Sequence, residues 1–203
     1  MKELNDFFDM NWVDKLPNFY IINSRQEIDF LWKKKSPPWC IMWAAEDKNI
    51  YLLARDKYAT ESNHEPDSDE LYRCRIKHEL AYQFIDEFID LNCVKKAKRM
   101  AYPLWLHDGL SDVLSGGTLL KERPKSIKGI LGTYDVYSDD NCEYKESLFV
   151  VKALLKKYGK EKILELLKKA AAVGTNMEFK KIFREVYGFT LNYKNINDLV
   201  YNE

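Results

Sequence analysis

The sequence has no excess of charge of either sign. Its 32 lysine and arginine residues are matched by 32 aspartate and glutamate residues, so the formal net charge is zero. Proteins that bind nucleic acids or anionic membranes through their surface usually carry a basic excess. We therefore expect neither nucleic acid nor a membrane as a partner.

The chain also lacks a long apolar run. The longest stretches, such as LFVVKALL, are interrupted by lysine and fall far short of the roughly 20 apolar residues that cross a bilayer. The opening residues, MKELNDFFDMNWVDKL, mix acidic with apolar side chains, unlike the apolar segment of a secretory signal. The sequence as given therefore predicts neither a transmembrane helix nor a signal peptide.

Cysteine is scarce and shows no pairing pattern. The four cysteines are widely separated and include no CxxC motif, so they form neither a small disulfide framework nor a thiol metal site. We predict buried free thiols in a reducing, cytoplasmic setting. The residues are Cys40, Cys74, Cys93 and Cys142.

The predicted strands come early in the chain. The segment PNFYIIN predicts one strand, and WCIMWAA and NIYLLAR predict a hairpin or two neighbours in a sheet. A helix is expected over residues 3–15. Ser24 and Glu27 form a capping-box pattern that predicts a second helix, ended before Pro37. The polar stretch ATESNHEPDSDE predicts a surface loop in which His64 is solvated.

From residue 67 onward the apolar spacing is helical. A long helix is predicted over about residues 67–91, and another begins at Pro103. Three further helices end at glycines, namely Gly159, Gly174 and Gly188. This separation of strands from helices predicts an α+β fold with a small mixed or antiparallel sheet and helices in residues 1–66. Residues 67–203 would form the mainly helical part of the same domain, with the active-site helix between the two.

The long helix carries the sequence His78-Glu79-Leu80-Ala81-Tyr82. In the HExxH motif, two histidines four residues apart bind Zn²⁺ on one helical face, and the glutamate activates a metal-bound water. Here Tyr82 replaces the second histidine. The remaining His-Glu pair is a weak signal on its own, because two adjacent residues recur by chance in many proteins.

A second segment supplies the context. The sequence PLWLHDGLS, residues 103–111, resembles the WLxEGLA segment of thermolysin-like (gluzincin) zinc metallopeptidases, in which the glutamate is the third zinc ligand. Asp108 stands at that position. The helix that begins near Tyr144 and ends in Tyr158-Gly159 resembles the next helix of the family, and FKKIFREVYGFTL resembles its closing helix. The similarity extends from about Pro37 to the end of the chain.

This resemblance implies a fold, a site and a reaction. It implies metal ligands at His78, Tyr82 and Asp108, with Glu79 as the general base that deprotonates a metal-bound water. It also implies Tyr144 as a donor to the developing oxyanion and a peptide or protein as the substrate. By the same resemblance, the segments PPWCIMW and NIYLLAR lie where the family places its edge strand beside the active site.

Two of the three ligand positions depart from the family pattern. Asp108 keeps the carboxylate but is one methylene shorter than glutamate. Tyr82 is a phenol with a reference pKa near 10, so it binds a metal well only as phenolate. We therefore expect zinc to bind weakly or not at all, and the Tyr82 hydroxyl to hydrogen-bond His78 or Asp108 instead. His107 is an unsuitable replacement, because helical neighbours point about 100° apart.

Three functions are compatible with these residues. The chain is either a metal-dependent peptidase or a non-catalytic relative that binds a peptide by strand addition or serves as an interaction module. In the third reading it is an unrelated helical protein whose motif matches are accidental. The first two need His78 and Asp108 to face one another across two packed helices.

Overall fold

The N-terminal part of the protein contains a three-stranded sheet. The computed structural model describes residues 1–14, 16–45, 47–64, 67–92, 103–117, 122–132, 142–173 and 175–202, and only the backbone of 142–145. The first elements are α1 (Lys2–Phe8), β1 (Phe19–Ile22), α2 (Arg25–Trp32), β2 (Met42–Ala44), β3 (Ile50–Leu53) and α3 (Tyr58–Glu61).

The sheet is mixed and has the strand order β1-β3-β2. β1 runs parallel to β3, with Phe19 opposite Ile50, and α2 makes the crossover between them. β2 pairs antiparallel with β3, with Trp43 opposite Tyr51. The prediction that the second and third strands are sheet neighbours is confirmed, and β1 and β2 form the two edges.

The start of α2 is fixed by its sequence. The Ser24 hydroxyl accepts a hydrogen bond from the Glu27 backbone N–H at 3.3 Å, and the Glu27 carboxylate accepts one from the Asn23 N–H at 3.3 Å. The first bond is the predicted capping bond of Ser24, and the second differs from a standard capping box in that Glu27 reaches the residue before the N-cap. The helix ends at Trp32, because Lys33 adopts a left-handed conformation with φ of 53°, several residues before the prolines.

The rest of the described chain is helical. The helices are α4 (Asp69–Asn92), α5 (Leu104–Ser115), α6 (Cys142–Tyr158), α7 (Lys160–Ala170), α8 (Asn176–Tyr187) and α9 (Tyr193–Tyr201). The predicted α+β fold, with a small N-terminal sheet followed by a helical part, is confirmed. The sequence analysis missed α9, which begins where the Asn192 side chain accepts the Asn195 N–H at 2.8 Å.

The buried side chains form two clusters that meet at α4. One surrounds the sheet and the other lies among the helices, and Leu80 on α4 packs against both. Helix α1 belongs to the helical cluster, because the Phe8 ring lies 5.4 Å from that of Phe88 and 6.2 Å from that of Phe84. Helix α1 is shorter than predicted, since Asp9 is left-handed with φ of 52°.

Two further expectations about the N-terminal part are corrected. The stretch predicted as a surface loop begins in α3, which ends at Glu61. His64 within it is half-buried, with its Nε2 atom 3.0 Å from the Trp39 carbonyl oxygen, so it is not simply solvated. In the described part of the chain, no helix is long and apolar enough to span a membrane.

Helix α5 packs between α4 and α6. The approach to α6 is close at Gly109, where an added Cβ atom would lie 2.5 Å from the Ser147 carbonyl oxygen and 2.7 Å from Val151 Cγ2. Only glycine fits there, because ordinary carbon contacts lie at about 3.5–4.0 Å. The close contact holds one side of α5 against α6 and leaves the other side against α4.

Candidate functional site at the interface of α4 and α5

Three polar side chains on α4 point toward α5. His78, Tyr82 and Asp86 are spaced four residues apart, so they lie on one face of the helix. His107 and Asp112 on α5 contact this row at opposite ends. The interface between the two helices is therefore polar along a length of at least two turns.

His78 is held by a carboxylate from α5. Its Nδ1 atom lies 2.9 Å from Asp112 Oδ1, and the two side chains are 19% and 10% exposed. A carboxylate accepts hydrogen bonds, so Nδ1 carries the proton and Nε2 is the ring nitrogen directed elsewhere. Burial lowers the pKa of His78, but the hydrogen bond to Asp112 and the charges of Asp112, Glu79 and Asp108 outweigh it, and the pKa is raised.

The ring of Tyr82 lies between two imidazoles. Its centroid is 5.1 Å from the His78 ring and 4.1 Å from the His107 ring, which it meets edge-to-face at 74°. Edge-to-face contacts of this kind stabilise packed aromatic groups. The position four residues after His78 is thus filled by a packed ring, while the expected hydrogen bond of the Tyr82 hydroxyl stays a prediction.

His107 and Asp86 form the far end of the row. The Nε2 atom of His107 lies 3.5 Å from Asp86 Oδ1, and the His107 side chain is only 8% exposed. We considered His107 as a replacement ligand and set it aside because of its direction on the helix. In the structure it is turned toward Tyr82 and Asp86.

Asp108 is buried beside His78. Asp108 is only 1% exposed, and its negative charge contributes to the raised pKa of His78. The imidazole and the carboxylate that the sequence analysis paired are therefore brought into the same interface. They lie far apart along the chain, so their proximity is a consequence of how α4 packs on α5.

Glu79 faces the sheet side of the site. Burial and then the negative charge of Glu79 raise the pKa of the Cys40 thiol to about 12, which places the Glu79 carboxylate near the residues that lead into β2. Helix α4 also packs directly on β2, and the Gln83 side chain donates to the Ala45 carbonyl at 3.2 Å. An edge strand of the sheet thus borders the site.

Several predicted features lie outside the described residues. The side chain of Tyr144, proposed as an oxyanion donor, is among them, although its backbone is part of α6. Cys93 and the side chain of Cys142 are also outside. Of the cysteines that are described, Cys40 is a buried free thiol and Cys74 is a half-buried one.

The sequence analysis missed Asp86 and Asp112. Both stand four residues after a candidate that it identified, Asp86 after Tyr82 and Asp112 after Asp108. That spacing places each on the same helical face as its predecessor. The spacing alone was a usable signal, but the pairing of Asp112 with His78 depends on the crossing of two helices.

The described residues fit a zinc ion only in part. A histidine whose second ring nitrogen donates to a carboxylate is typical of metal ligands, and His78 has that arrangement with Asp112. A structural or catalytic zinc site needs three or four such donors. Among the described residues, however, no group of three His, Cys, Asp or Glu side chains is placed to hold a metal ion.

The third donor that the resemblance implies is Tyr82, which packs against both imidazoles. The donor set therefore does not fit a complete tetrahedral zinc site. The expectation that zinc binds weakly or not at all stays a prediction.

Comparison of the chain with protein-family models, with curated proteins and with solved structures finds no match in any of the three.

Proposed function

We propose that this protein has a gluzincin-like peptidase scaffold and binds an extended peptide or protein segment without hydrolysing it. The observation that carries the proposal is the Tyr82 ring, which is packed between His78 and His107 at the position of the second metal-binding histidine. A peptidase of this kind needs an open metal position with a bound water. A packed phenol at that position works against it.

Side-chain contacts join α4 to α5 without a metal ion. His78 pairs with Asp112 at one end, and His107 lies near Asp86 at the other. Tyr82 fills the space between the two imidazoles. The His78–Asp112 contact at 2.9 Å is a hydrogen bond to a charged group, which contributes about 1.5–3 kcal/mol, so it can hold the two helices together in place of a metal.

Strand β2 offers a route for binding a peptide. The Leu53 N–H donates to the Ile41 carbonyl and the Ala45 N–H to the Asn49 carbonyl, so Ile41 and Ala45 turn their backbone groups toward β3. Backbone groups alternate in direction along a strand, and those of Met42 therefore point away from the sheet. An extended segment that pairs with this edge would lie beside Glu79 and His78.

Zinc titration tests the catalytic half of the proposal. We expect calorimetry to detect no stoichiometric zinc binding to the wild type and a gain of binding in Tyr82→His with Asp108→Glu. The matched control is Tyr72→His, a tyrosine on the same helix that packs against the sheet cluster. Stoichiometric zinc in the wild type, together with peptide hydrolysis that Glu79→Gln abolishes, would overturn the proposal.

Peptide binding can be located at single amides. A peptide selected from a displayed random library would be added to labelled protein, and hydrogen exchange would be followed by NMR. We expect new protection at the Met42 amide and no change at Ile21 on the opposite edge. Single N-methyl groups should be placed on successive backbone nitrogens of the peptide. Methylation should abolish binding at every second nitrogen, namely those whose N–H groups pair with β2, and should have little effect at the others. Protection confined to other parts of the molecule would contradict strand addition at β2.

A metal-dependent peptidase is the second candidate, favoured by the hydrogen bond between His78 and Asp112. That bond leaves Nε2 of His78 for a ligand, and the buried Asp108 lies close by. His78 and Asp108 would hold the ion, which when bound supplies an activated water. Glu79 would take up the proton. The zinc titration and the Glu79→Gln comparison separate this candidate from the first.

A further inference from the structure

The sheet has a second edge, far from the site, and it is apolar. Strand β1 reads Phe-Tyr-Ile-Ile, and residues 16–24 contain no charged side chain. Phe19, Tyr20 and Ile21 are 45%, 46% and 66% exposed. Edge strands that must not pair usually carry charges, a proline or a bulge, and β1 carries none of them within its four residues.

The backbone of β1 has two unused donors. The Ile50 N–H donates to the Asn18 carbonyl at 2.8 Å and the Ala54 N–H to the Ile22 carbonyl at 2.7 Å, so the even-numbered residues face β3. Phe19 and Ile21 therefore direct their N–H and C=O groups away from the sheet. No residue in the described parts of the chain accepts those two N–H groups.

The free segment is bounded on both sides. Pro17 has no N–H to donate, and the Asn23 N–H is already bonded to the Glu27 carboxylate at 3.3 Å. The outward N–H donors of this edge therefore end at Asn23, whose N–H is bonded at the start of α2, and at Pro17, which has no N–H. What remains is a short ladder site with donors at positions 19 and 21 only.

We propose that β1 pairs antiparallel with β1 of a second copy of this chain, forming one six-stranded sheet across a dimer. In an antiparallel ladder, residues that exchange both hydrogen bonds lie opposite each other. Only one symmetric register joins all four outward N–H groups to carbonyl groups within the two β1 strands. It places Phe19 opposite Ile21 of the partner subunit and Tyr20 opposite Tyr20 of the partner subunit.

An aromatic row across the sheet supports this register. The Tyr20 ring stacks on Tyr51 at 5.2 Å, and Tyr51 stacks on Trp43 at 5.0 Å, so one row crosses all three strands. Tyr20 is the last ring and its outer side is exposed. In the proposed register it forms a non-hydrogen-bonded pair with the partner's Tyr20, whose side chain lies close on the same face. The row then continues into the second sheet.

The apolar β1 edge matches a second β1 edge better than it matches a charged ligand. On the opposite face, Phe19 and Ile21 of one copy would meet Ile21 and Phe19 of the other. Residues close to the two-fold axis at Tyr20 lie near their own copies, so charges there would repel, and residues 16–24 have none. The β2 edge takes no part in such a dimer, and the inference does not depend on the proposed function.

Molecular mass in solution tests the dimer. Light scattering or sedimentation of the wild type should give twice the mass of the 203-residue chain, falling toward the monomer on dilution. Ile21→Lys should give a monomer with an unchanged circular dichroism spectrum. The matched control is Phe30→Lys, since Phe30 is 81% exposed on α2 and should leave the dimer intact. A monomeric wild type, or a dimer that Ile21→Lys does not weaken, would overturn the proposal.

Cysteine cross-linking tests the register. The two Tyr20 Cα atoms would lie about 4.5 Å apart, within reach of a disulfide, while the two Ile21 Cα atoms would be separated by about 8 Å. Oxidised Tyr20→Cys should run as a covalent dimer on a non-reducing gel, above the background of the wild-type cysteines. Ile21→Cys, at a more exposed position, should not. The reverse pattern would contradict this register.

Discussion

Asp112 determines which nitrogen of His78 faces the rest of the site. Because the carboxylate accepts the Nδ1 proton at 2.9 Å, the imidazole is fixed in both tautomer and orientation. The same contact joins α4 to α5 and raises the pKa of His78. One hydrogen bond therefore serves both the packing of the helices and the chemistry of the candidate site.

We expect Asp112→Asn to lower the free energy of unfolding by about 1–3 kcal/mol, because it weakens a buried hydrogen bond to a charged group. Urea denaturation followed by circular dichroism measures the change. Asp90→Asn is the control, since Asp90 is exposed and only 4.0 Å from Lys48, and its effect should stay within about 0.5 kcal/mol. Equal effects of the two substitutions would show that the pair with His78 is not stabilising.

The protonation of His64 should make the stability of the fold depend on pH. Burial and the nearby Arg75 charge lower the pKa of His64 despite its contact with the Trp39 carbonyl. The unfolded chain, with a histidine pKa near 6.5, therefore binds this proton more readily than the folded one. The contribution of His64 is present above that pKa and is lost as the pH falls through the folded value.

A comparison of the wild type with His64→Gln isolates the pH dependence that His64 causes. The contribution of His78 is present in both proteins and cancels in the comparison. The wild type should lose more stability than the variant between about pH 7.5 and about pH 5.5. Urea midpoints at the two pH values provide the measurement. Parallel pH dependence in the two proteins would contradict the lowered pKa.

At the scale of elements, α5 is placed by its close approach to α6. Gly109 allows the backbones of α5 and α6 to meet, and the adjacent flank of α5, about 60–100° around the helix axis, carries Asp108 and Asp112 toward α4. A change at this crossing should therefore disturb the candidate site without altering any of its polar residues.

Gly109→Ala should destabilise the protein by about 1–3 kcal/mol, the usual range for an overpacked core position. Thermal unfolding measures the loss. Ser111→Ala on the same helix is the control, because the buried Ser111 hydroxyl has no hydrogen-bond partner among the described residues and its removal should be close to neutral. A stable Gly109→Ala protein would mean that α5 and α6 can move apart.

At the scale of the whole molecule, α4 joins two clusters of buried side chains, and the N-terminal helix belongs to the second. The chain therefore starts against the helical part, passes through the sheet and returns along α4. The division predicted at residue 66 stays a prediction, but α1 lies with the helices.

Phe8→Ala should remove about 3–5 kcal/mol of stability, because the Phe8 ring is 1% exposed and packs against Phe84 and Phe88. Phe30→Ala is the matched control at an 81% exposed phenylalanine and should change stability by less than about 0.5 kcal/mol. Chemical denaturation of both variants compares them. A small effect of Phe8→Ala would place α1 outside the cooperative core.

The sequence by itself determined what depends on neighbours along the chain. The Ser24–Glu27 cap, the apolar runs that form strands β2 and β3, and the ends of α6 and α8 at Gly159 and Gly188 all follow from residues a few positions apart. The four-residue spacing of His78 and Tyr82 also follows from local geometry. These features are predictable because they depend on nearby residues and on the periods of helices and strands.

Only the tertiary structure decided what joins distant segments. It paired His78 with Asp112, turned His107 toward Asp86, placed α1 beside α4, and left β1 at an open edge. None of these contacts has a signature in local spacing, because each depends on how α4, α5 and the sheet cross. Packing geometry, which a single sequence does not encode position by position, therefore set both the partners of the candidate site and the surface that we infer to be a dimer interface.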